Sequence, residues 1–139
     1  MARVLVVDDE GLMRTMVQVV CNRLGHETLM AGSIQEGLRM AVEPVDLVLL
    51  DVWLPDGNGL EHQPEFAHLP GSPDVVVITG NGDGDNAEAA LRSGAWEFLT
   101  KPLQMRDIEQ CVKQVLQFRQ NRTPASDENS CSTFSILIE

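Results

Sequence analysis

Four short stretches of this chain carry side chains able to do chemistry together: Asp8-Asp9-Glu10, Asp51, Thr79-Gly80 and Thr100-Lys101-Pro102. Held side by side, Asp8, Asp9 and Asp51 would crowd three carboxylates into one place. Two unit charges ~4 Å apart repel by roughly 4 kcal/mol at an effective dielectric of 20, a large fraction of the roughly 5–15 kcal/mol that stabilises a domain. A cation must offset them, or a pKa must rise. Lys101 supplies one positive charge, and a hard divalent ion with oxygen ligands supplies the rest. Mg²⁺ suits a few carboxylates with retained waters. A carboxylate beside Mg²⁺ is able to attack phosphorus and form an aspartyl phosphate. The transferred group has three equatorial oxygens that need partners, because catalysis of this kind is mostly positioning and charge neutralisation. Mg²⁺, the Lys101 ammonium and the Thr79 hydroxyl can each take one, and Gly80 leaves room for close approach. Asp51 is the nucleophile candidate, since it stands alone while the adjacent Asp8-Asp9 pair is placed to hold metal.

These groups meet only if the fold brings them together. Short β-branched runs recur at Arg3–Val7, Val45–Leu50 and Val75–Thr79, with weaker ones at Glu27–Ala31 and Trp96–Leu99. Between them lie five stretches with helical spacing. The first places Met13, Met16, Val17, Val20 and Leu24 on one face and stops at Gly25. The second starts at Ser33, an N-cap with Glu36 three residues on, and runs to about Val42. The third covers roughly Gly59–Leu69 with Pro64 inside it, the fourth Asp85–Ser93 with Gly94 ending it, and the fifth Met105–Gln120. In the fifth, Ile108, Val112, Val115 and Leu116 point inward. The central runs are apolar on both faces, as parallel strands covered by helices on both sides are. Five such units predict a flavodoxin-like, doubly wound, five-stranded parallel sheet of order 2-1-3-4-5 with five helices. Ligands of such sheets sit beyond the carboxyl ends of the strands, where the four stretches fall.

Composition bounds the function. Acidic residues number 21 and basic residues 10, for a formal charge of −11, which argues against nucleic-acid contact by this segment and against docking on an anionic membrane. No apolar run is long enough to span a bilayer and no signal peptide is evident. Cys21, Cys111 and Cys131 match neither a disulfide framework nor a zinc spacing, so a reduced, cytoplasmic setting is expected. Cys21 and Cys111 read as core thiols, and His26, His62 and His68 as surface histidines without metal spacing. Asp56-Gly57-Asn58-Gly59 reads as turn chemistry. Residues 1–120 are expected to form one domain, and 121–139 a polar linker or tail in which only Phe134–Ile138 is apolar.

Read in order, the motifs Val6-Val7-Asp8-Asp9-Glu10, Leu49-Leu50-Asp51-Val52-Trp53-Leu54-Pro55-Asp56-Gly57, Ile78-Thr79-Gly80 and Phe98-Leu99-Thr100-Lys101-Pro102 resemble the receiver domain of two-component response regulators. The resemblance covers about residues 1–120. It implies phosphoryl transfer from a sensor histidine kinase to Asp51. It also implies Mg²⁺ held by Asp9, Asp51 and the Trp53 carbonyl, with Asp8 acting largely through water. Lys101 would pair with the phosphoryl group, Thr79 would bond to it, and the Lys101–Pro102 peptide would be cis. Thr79 and Phe98 would form the switch, acting on the face made by the fourth helix, fifth strand and fifth helix. An output domain or downstream protein is implied, transcriptional outputs being common, and a homodimer through that face is a further expectation.

Two departures matter. Phe98 stands where the family commonly has Tyr, so its signal must be one of packing and ring position. Trp53 and Asn81, two positions after Asp51 and Thr79, offer no base for activating water, which points to a long-lived phosphoryl state. Rival functions fit less well. An aspartate-nucleophile phosphatase wants a second acid where Trp53 stands. A dinucleotide-binding domain needs a Gly-rich turn where Asp8-Asp9-Glu10 stands. A phosphorylation-independent interaction module would have no use for the intact acid set and Lys101. The chain is thus expected to be a phosphoacceptor that catalyses its own modification, and not an enzyme acting on other substrates.

Overall fold

Valine and leucine at successive positions force strands with no wet face, and three such strands form the centre of the molecule. The computed structural model describes residues 1–80, 88–89, 91–92 and 94–121. Its strands are β1 (Arg3–Val7), β2 (Glu27–Ala31), β3 (Leu47–Asp51), the two-residue β4 (Trp53–Leu54) and β5 (Gly57–Asn58), β6 (Asp74–Thr79) and β7 (Glu97–Thr100). The main sheet is parallel with order β2-β1-β3-β6-β7, the expected doubly wound arrangement, while β4 and β5 pair with each other, antiparallel. Every residue of β3 is buried, and β1 and β6 are buried beyond their first residues. β2 and β7 are half-buried edges.

Alternate side chains of the central strands feed two cores. Leu5, Val7, Val48, Leu50, Val75 and Val77 pack with Ile34 and Phe66 on one side. Val4, Val6, Leu47, Leu49, Val76 and Ile78 pack with Met13, Val17, Ile108, Val112 and Val115 on the other. Full burial of such side chains contributes about 1.5–3 kcal/mol each, which is what lets the strand ends tolerate unfavourable charge.

The helices are α1 (Gly11–Leu24), α2 (Ile34–Met40), a 3-10 turn (Gly59–His62) running into α3 (Gln63–Ala67), and a C-terminal helix (Met105–Gln120). Gly25 ends α1 in the left-handed region at φ 81°. Ser33 caps α2 by accepting the Glu36 N–H at 3.2 Å. Glu36 reaches back to the Gly32 N–H at 2.6 Å. α2 ends at Met40, two residues short of expectation. The third helical stretch is not continuous: the 3-10 turn precedes Gln63, so Pro64 falls in the first turn of α3, where its missing N–H is harmless. The β3 and β7 boundaries lie one or two residues C-terminal to those expected from the apolar runs, because both strands extend into polar residues that belong to the site.

Of the fourth expected helix, Glu88, Ala89, Leu91 and Arg92 are helical and Gly94 has φ 97°. The rest of Asp85–Ser93 lies outside the described residues, as do Asn81, Cys131, Phe134–Ile138 and most of the expected tail. Cys21 and Cys111 are buried free thiols. Among the described residues no helix is long and apolar enough to cross a membrane.

Candidate functional site

The parallel register carries four chemical stretches to one end of the sheet. Val7 pairs with Leu50, so Asp8 and Asp51 follow side by side at the ends of β1 and β3. Asp51 pairs with Ile78, which puts Thr79 one residue further along β6. Thr79 pairs with Thr100, and Lys101 follows. Lys101 N–H donates to the Thr79 carbonyl at 2.8 Å. The Lys101–Pro102 peptide is cis.

Asp8, Asp9 and Asp51 each offer a carboxylate oxygen within 4.8 Å of the others. This is the acid cluster expected from the sequence. Asp8 and Asp51 are buried and Asp9 is exposed, so the cluster opens to solvent on one side. Lys101 Nζ lies 3.1 Å from Asp8 Oδ2 and 3.5 Å from Asp51 Oδ2, and it also pairs with Glu10 Oε1. Asp8 Oδ1 accepts the Glu10 N–H at 2.9 Å and a long bond from Lys101 Nζ at 3.4 Å, whereas Oδ2, among the described residues, accepts no hydrogen bond and has the ammonium 3.1 Å away.

Burial and mutual repulsion govern the charges of this arrangement. Burial, then the charge of Asp8, pushes the Asp51 carboxyl up to about 7, against the opposing pull of Lys101. Burial likewise raises Asp8, despite its hydrogen bonds from the Glu10 N–H and Lys101. Burial works against the Lys101 ammonium, but Glu10, Asp8 and Asp51 outweigh it and hold the group above its ordinary pKa. One ammonium is therefore too little for the carboxylates around it. A hard cation with oxygen ligands fits this donor set: three converging carboxylates, one with an oxygen that accepts no hydrogen bond from the described residues, beside an opening to solvent.

The other predicted site residues are placed as follows. Thr79 is buried, and its Oγ1 donates a long bond to the Leu99 carbonyl at 3.4 Å. Phe98 precedes Leu99 in β7 and packs, half-buried, on the core cluster of Val75 and Val77. Trp53 opens β4 two residues after Asp51 and is 58% exposed. Asp56 stays out of the acid cluster: its carboxylate accepts the Ile34 and Gln35 N–H groups at 2.9 and 3.0 Å, capping α2. Those bonds hold its pKa below the ordinary value. The histidines also stay away from the cluster. His26 Nδ1 accepts the Ala2 N–H at 3.0 Å, His62 meets Glu65 at 2.6 Å, and His68 Nδ1 meets the Pro64 carbonyl at 2.7 Å.

Three residues at the site have roles that sequence reasoning did not assign. Arg14 Nη1 donates to the Asp8 carbonyl at 2.7 Å, a second cation reaching back from the first turn of α1. Its spacing from Glu10, one helical turn, was the available signal. Glu10 pairs with Lys101 rather than capping the helix it precedes. Gly59 is a support: its N–H donates to the Val52 carbonyl at 2.7 Å. A Cβ there would stand 2.1 Å from the Asp51 carbonyl oxygen. In the sequence, Gly59 looked like one more turn glycine.

Comparison with known proteins agrees with this geometry. The family model described as "Response regulator receiver domain" matches residues 4–113. The response regulator protein PilR of Pseudomonas aeruginosa is 35% identical over 118 residues, which cover 84% of this chain and 26% of PilR. The chain spans between 26% and 60% of the length of the curated relatives it matches. A CheY-like receiver domain structure from Methanospirillum hungatei superposes with a TM-score of 0.79 at 27% identity, covering 86% of this chain and 97% of that one. The beryllofluoride-activated NtrC4 receiver domain dimer does so with a TM-score of 0.76 at 31% identity, covering 84% and 98%. With its fold, the order of its motifs and the family match over most of its length in agreement, the chain belongs to the response regulator receiver domain family.

Proposed function

We propose that Asp51 accepts a phosphoryl group from the phosphohistidine of a sensor kinase, and that the modified domain controls an output, transcriptional by analogy with its relatives. The observation that carries this is the meeting of three carboxylates within 4.8 Å of one another beside Lys101 at the strand ends. Asp8, Asp9 and Asp51 would hold Mg²⁺, with the Trp53 carbonyl as a further ligand and Asp8 acting largely through water. When bound, Mg²⁺ supplies the positive charge that keeps the Asp51 carboxylate ionised and neutralises phosphoryl oxygens. Asp51 Oδ then bonds to phosphorus as the P–N bond to the kinase histidine breaks. Lys101 takes one phosphoryl oxygen and the Thr79 hydroxyl another. The same groups would serve transfer from a small phosphodonor and the later attack of water, so the domain catalyses its own modification.

The output follows from the bond that Thr79 must leave. Its Oγ1 donates to the carbonyl of Leu99, the neighbour of Phe98. Turning to the phosphoryl group releases that bond and frees space beside β7. Phe98 has no hydroxyl and responds by ring position alone, reshaping the face of β7 and the helices beside it. That face would contact an output domain, a downstream protein or a second copy of the chain, in the cytoplasm. An unchanged Phe98 rotamer on binding a phosphoryl mimic would count against this switch. The acid cluster and its Lys101 partner leave a phosphorylation-independent module without support. Incubation with a small phosphodonor and Mg²⁺, followed by intact-mass measurement, tests the assignment. One phosphoryl group is expected on wild type and none on Asp51→Asn. No added mass on wild type, or equal addition to the variant, would reject it.

A further inference from the structure

Lys101 has more acceptors than its proposed task requires. Its ammonium has three N–H donors, and three carboxylates surround it: Glu10, Asp8 at 3.1 Å and Asp51 at 3.5 Å. These partners differ in freedom. The side chains of Asp8 and Asp51 are 0% and 7% exposed, but that of Glu10 is 60% exposed. Glu10 stands at the N-cap of α1, yet its side chain makes no capping hydrogen bond there. It turns instead across the strand ends to Lys101. An anion added to Asp51 brings new oxygens to an ammonium that already faces three carboxylates, so it competes with the existing acceptors. Asp8 is held in place by the Glu10 N–H at 2.9 Å and by burial, so Glu10 is the partner that can leave into water at least cost.

We propose that Glu10 is an internal competitor for Lys101: a positioning residue that holds the ammonium while Asp51 is unmodified and yields it to the phosphoryl group. This rests on the assignment of Asp51 as phosphoryl acceptor. The Glu10 carboxylate then sets how strongly the site favours the modified state, because a tetrahedral anion bound at Asp51 competes with Glu10 for the Lys101 ammonium. Loss of the competitor leaves Lys101 free and the modified state easier to reach.

Beryllofluoride binding at saturating Mg²⁺ reads this directly, measured by calorimetry for wild type, Glu10→Gln and Glu10→Ala, with Mg²⁺ affinity and melting temperature recorded alongside. Tighter beryllofluoride binding is expected, about threefold for Gln and tenfold for Ala, with the fold intact. A Glu10 that merely supported α1 would instead weaken Mg²⁺ and beryllofluoride binding together and lower the melting temperature. Through-space repulsion by the Glu10 charge would persist without Lys101, so the change is repeated in a Lys101→Met background. There the gain from Glu10→Ala should vanish. Equal or weaker binding by both Glu10 variants, or a gain that survives Lys101→Met, overturns the competitor role and leaves the acceptor assignment standing. No beryllofluoride binding by wild type overturns both.

Discussion

The two ends of the sheet carry similar charges and treat them in opposite ways. Where the strands begin, Arg3 pairs with Glu27 at 3.1 Å and Glu43 at 3.7 Å, and Arg119 pairs with Asp46 at 3.3 Å and Asp74 at 3.4 Å. Arg119 also donates to the Ser72 carbonyl at 3.0 Å and to that of Gly71. Where the strands finish, Asp8, Glu10 and Asp51 share one lysine beside Asp9, with Arg14 spent on a backbone carbonyl. Acids outnumber bases at both ends, so the count does not separate them. Burial and geometry do. At the first end the acids, each at least partly exposed, surround forked guanidinium groups that each satisfy several acceptors. At the second, two buried carboxylates face each other across a single point charge. In the first arrangement each acid has a guanidinium partner; the second sets Asp8, Glu10 and Asp51 against one ammonium.

This contrast can be broken from either side. The largest effect is expected at Gly59→Ala, whose Cβ would meet the Asp51 carbonyl oxygen at 2.1 Å. Forcing that backbone apart should cost about 3 kcal/mol in urea unfolding and weaken Mg²⁺ binding as well. An unchanged midpoint would show that the finishing end does not depend on this close approach. Next comes Arg119→Ala at the beginning end. Loss of its shared acceptors should cost about 2 kcal/mol, with Mg²⁺ binding untouched. Arg119→Lys should recover only part of it, since an ammonium cannot serve the same fork.

The smallest effect has the opposite sign. With the folded Asp51 carboxyl raised to about 7 from an ordinary 3.8, its favourable contribution is complete below 3.8 and lost as pH rises through 7. Metal-free wild type should therefore lose stability between pH 5 and pH 8. Asp51→Asn should flatten that slope and stabilise the metal-free domain at pH 8 by ~1 kcal/mol, after allowance for solvent and relaxation. Thermal melts in EDTA across this range check it, and a steeper loss in the variant would contradict it.

The finishing end was the more legible of the two in the sequence. Asp8, Asp51 and Thr79 follow apolar runs directly and Asp9 and Lys101 stand one residue further on, and in a parallel sheet the end of such a run is a place in space. The strand runs and the C-terminal helix Met105–Gln120 were legible for the same reason: their periodicity is unbroken. The third helical stretch was not, because its 3-10 turn and Pro64 interrupt the period. Asp56 read as turn chemistry, and its capping of α2 left no signal, since α2 lies more than twenty residues earlier in the chain. Arg119, Asp46 and Asp74 carried no signal, because their pairing depends on how the C-terminal helix crosses the strand starts. Gly59 was hidden for a different reason: a glycine shows what it permits, not what it makes room for.

The most direct test of the account is calorimetric titration of the domain with Mg²⁺ near neutral pH. The charge arrangement predicts one saturable ion per chain, retained in Arg119→Ala and lost when Asp9 and Asp51 are both replaced by Asn. Absence of saturable binding by wild type, or binding of equal strength by the double variant, would contradict it.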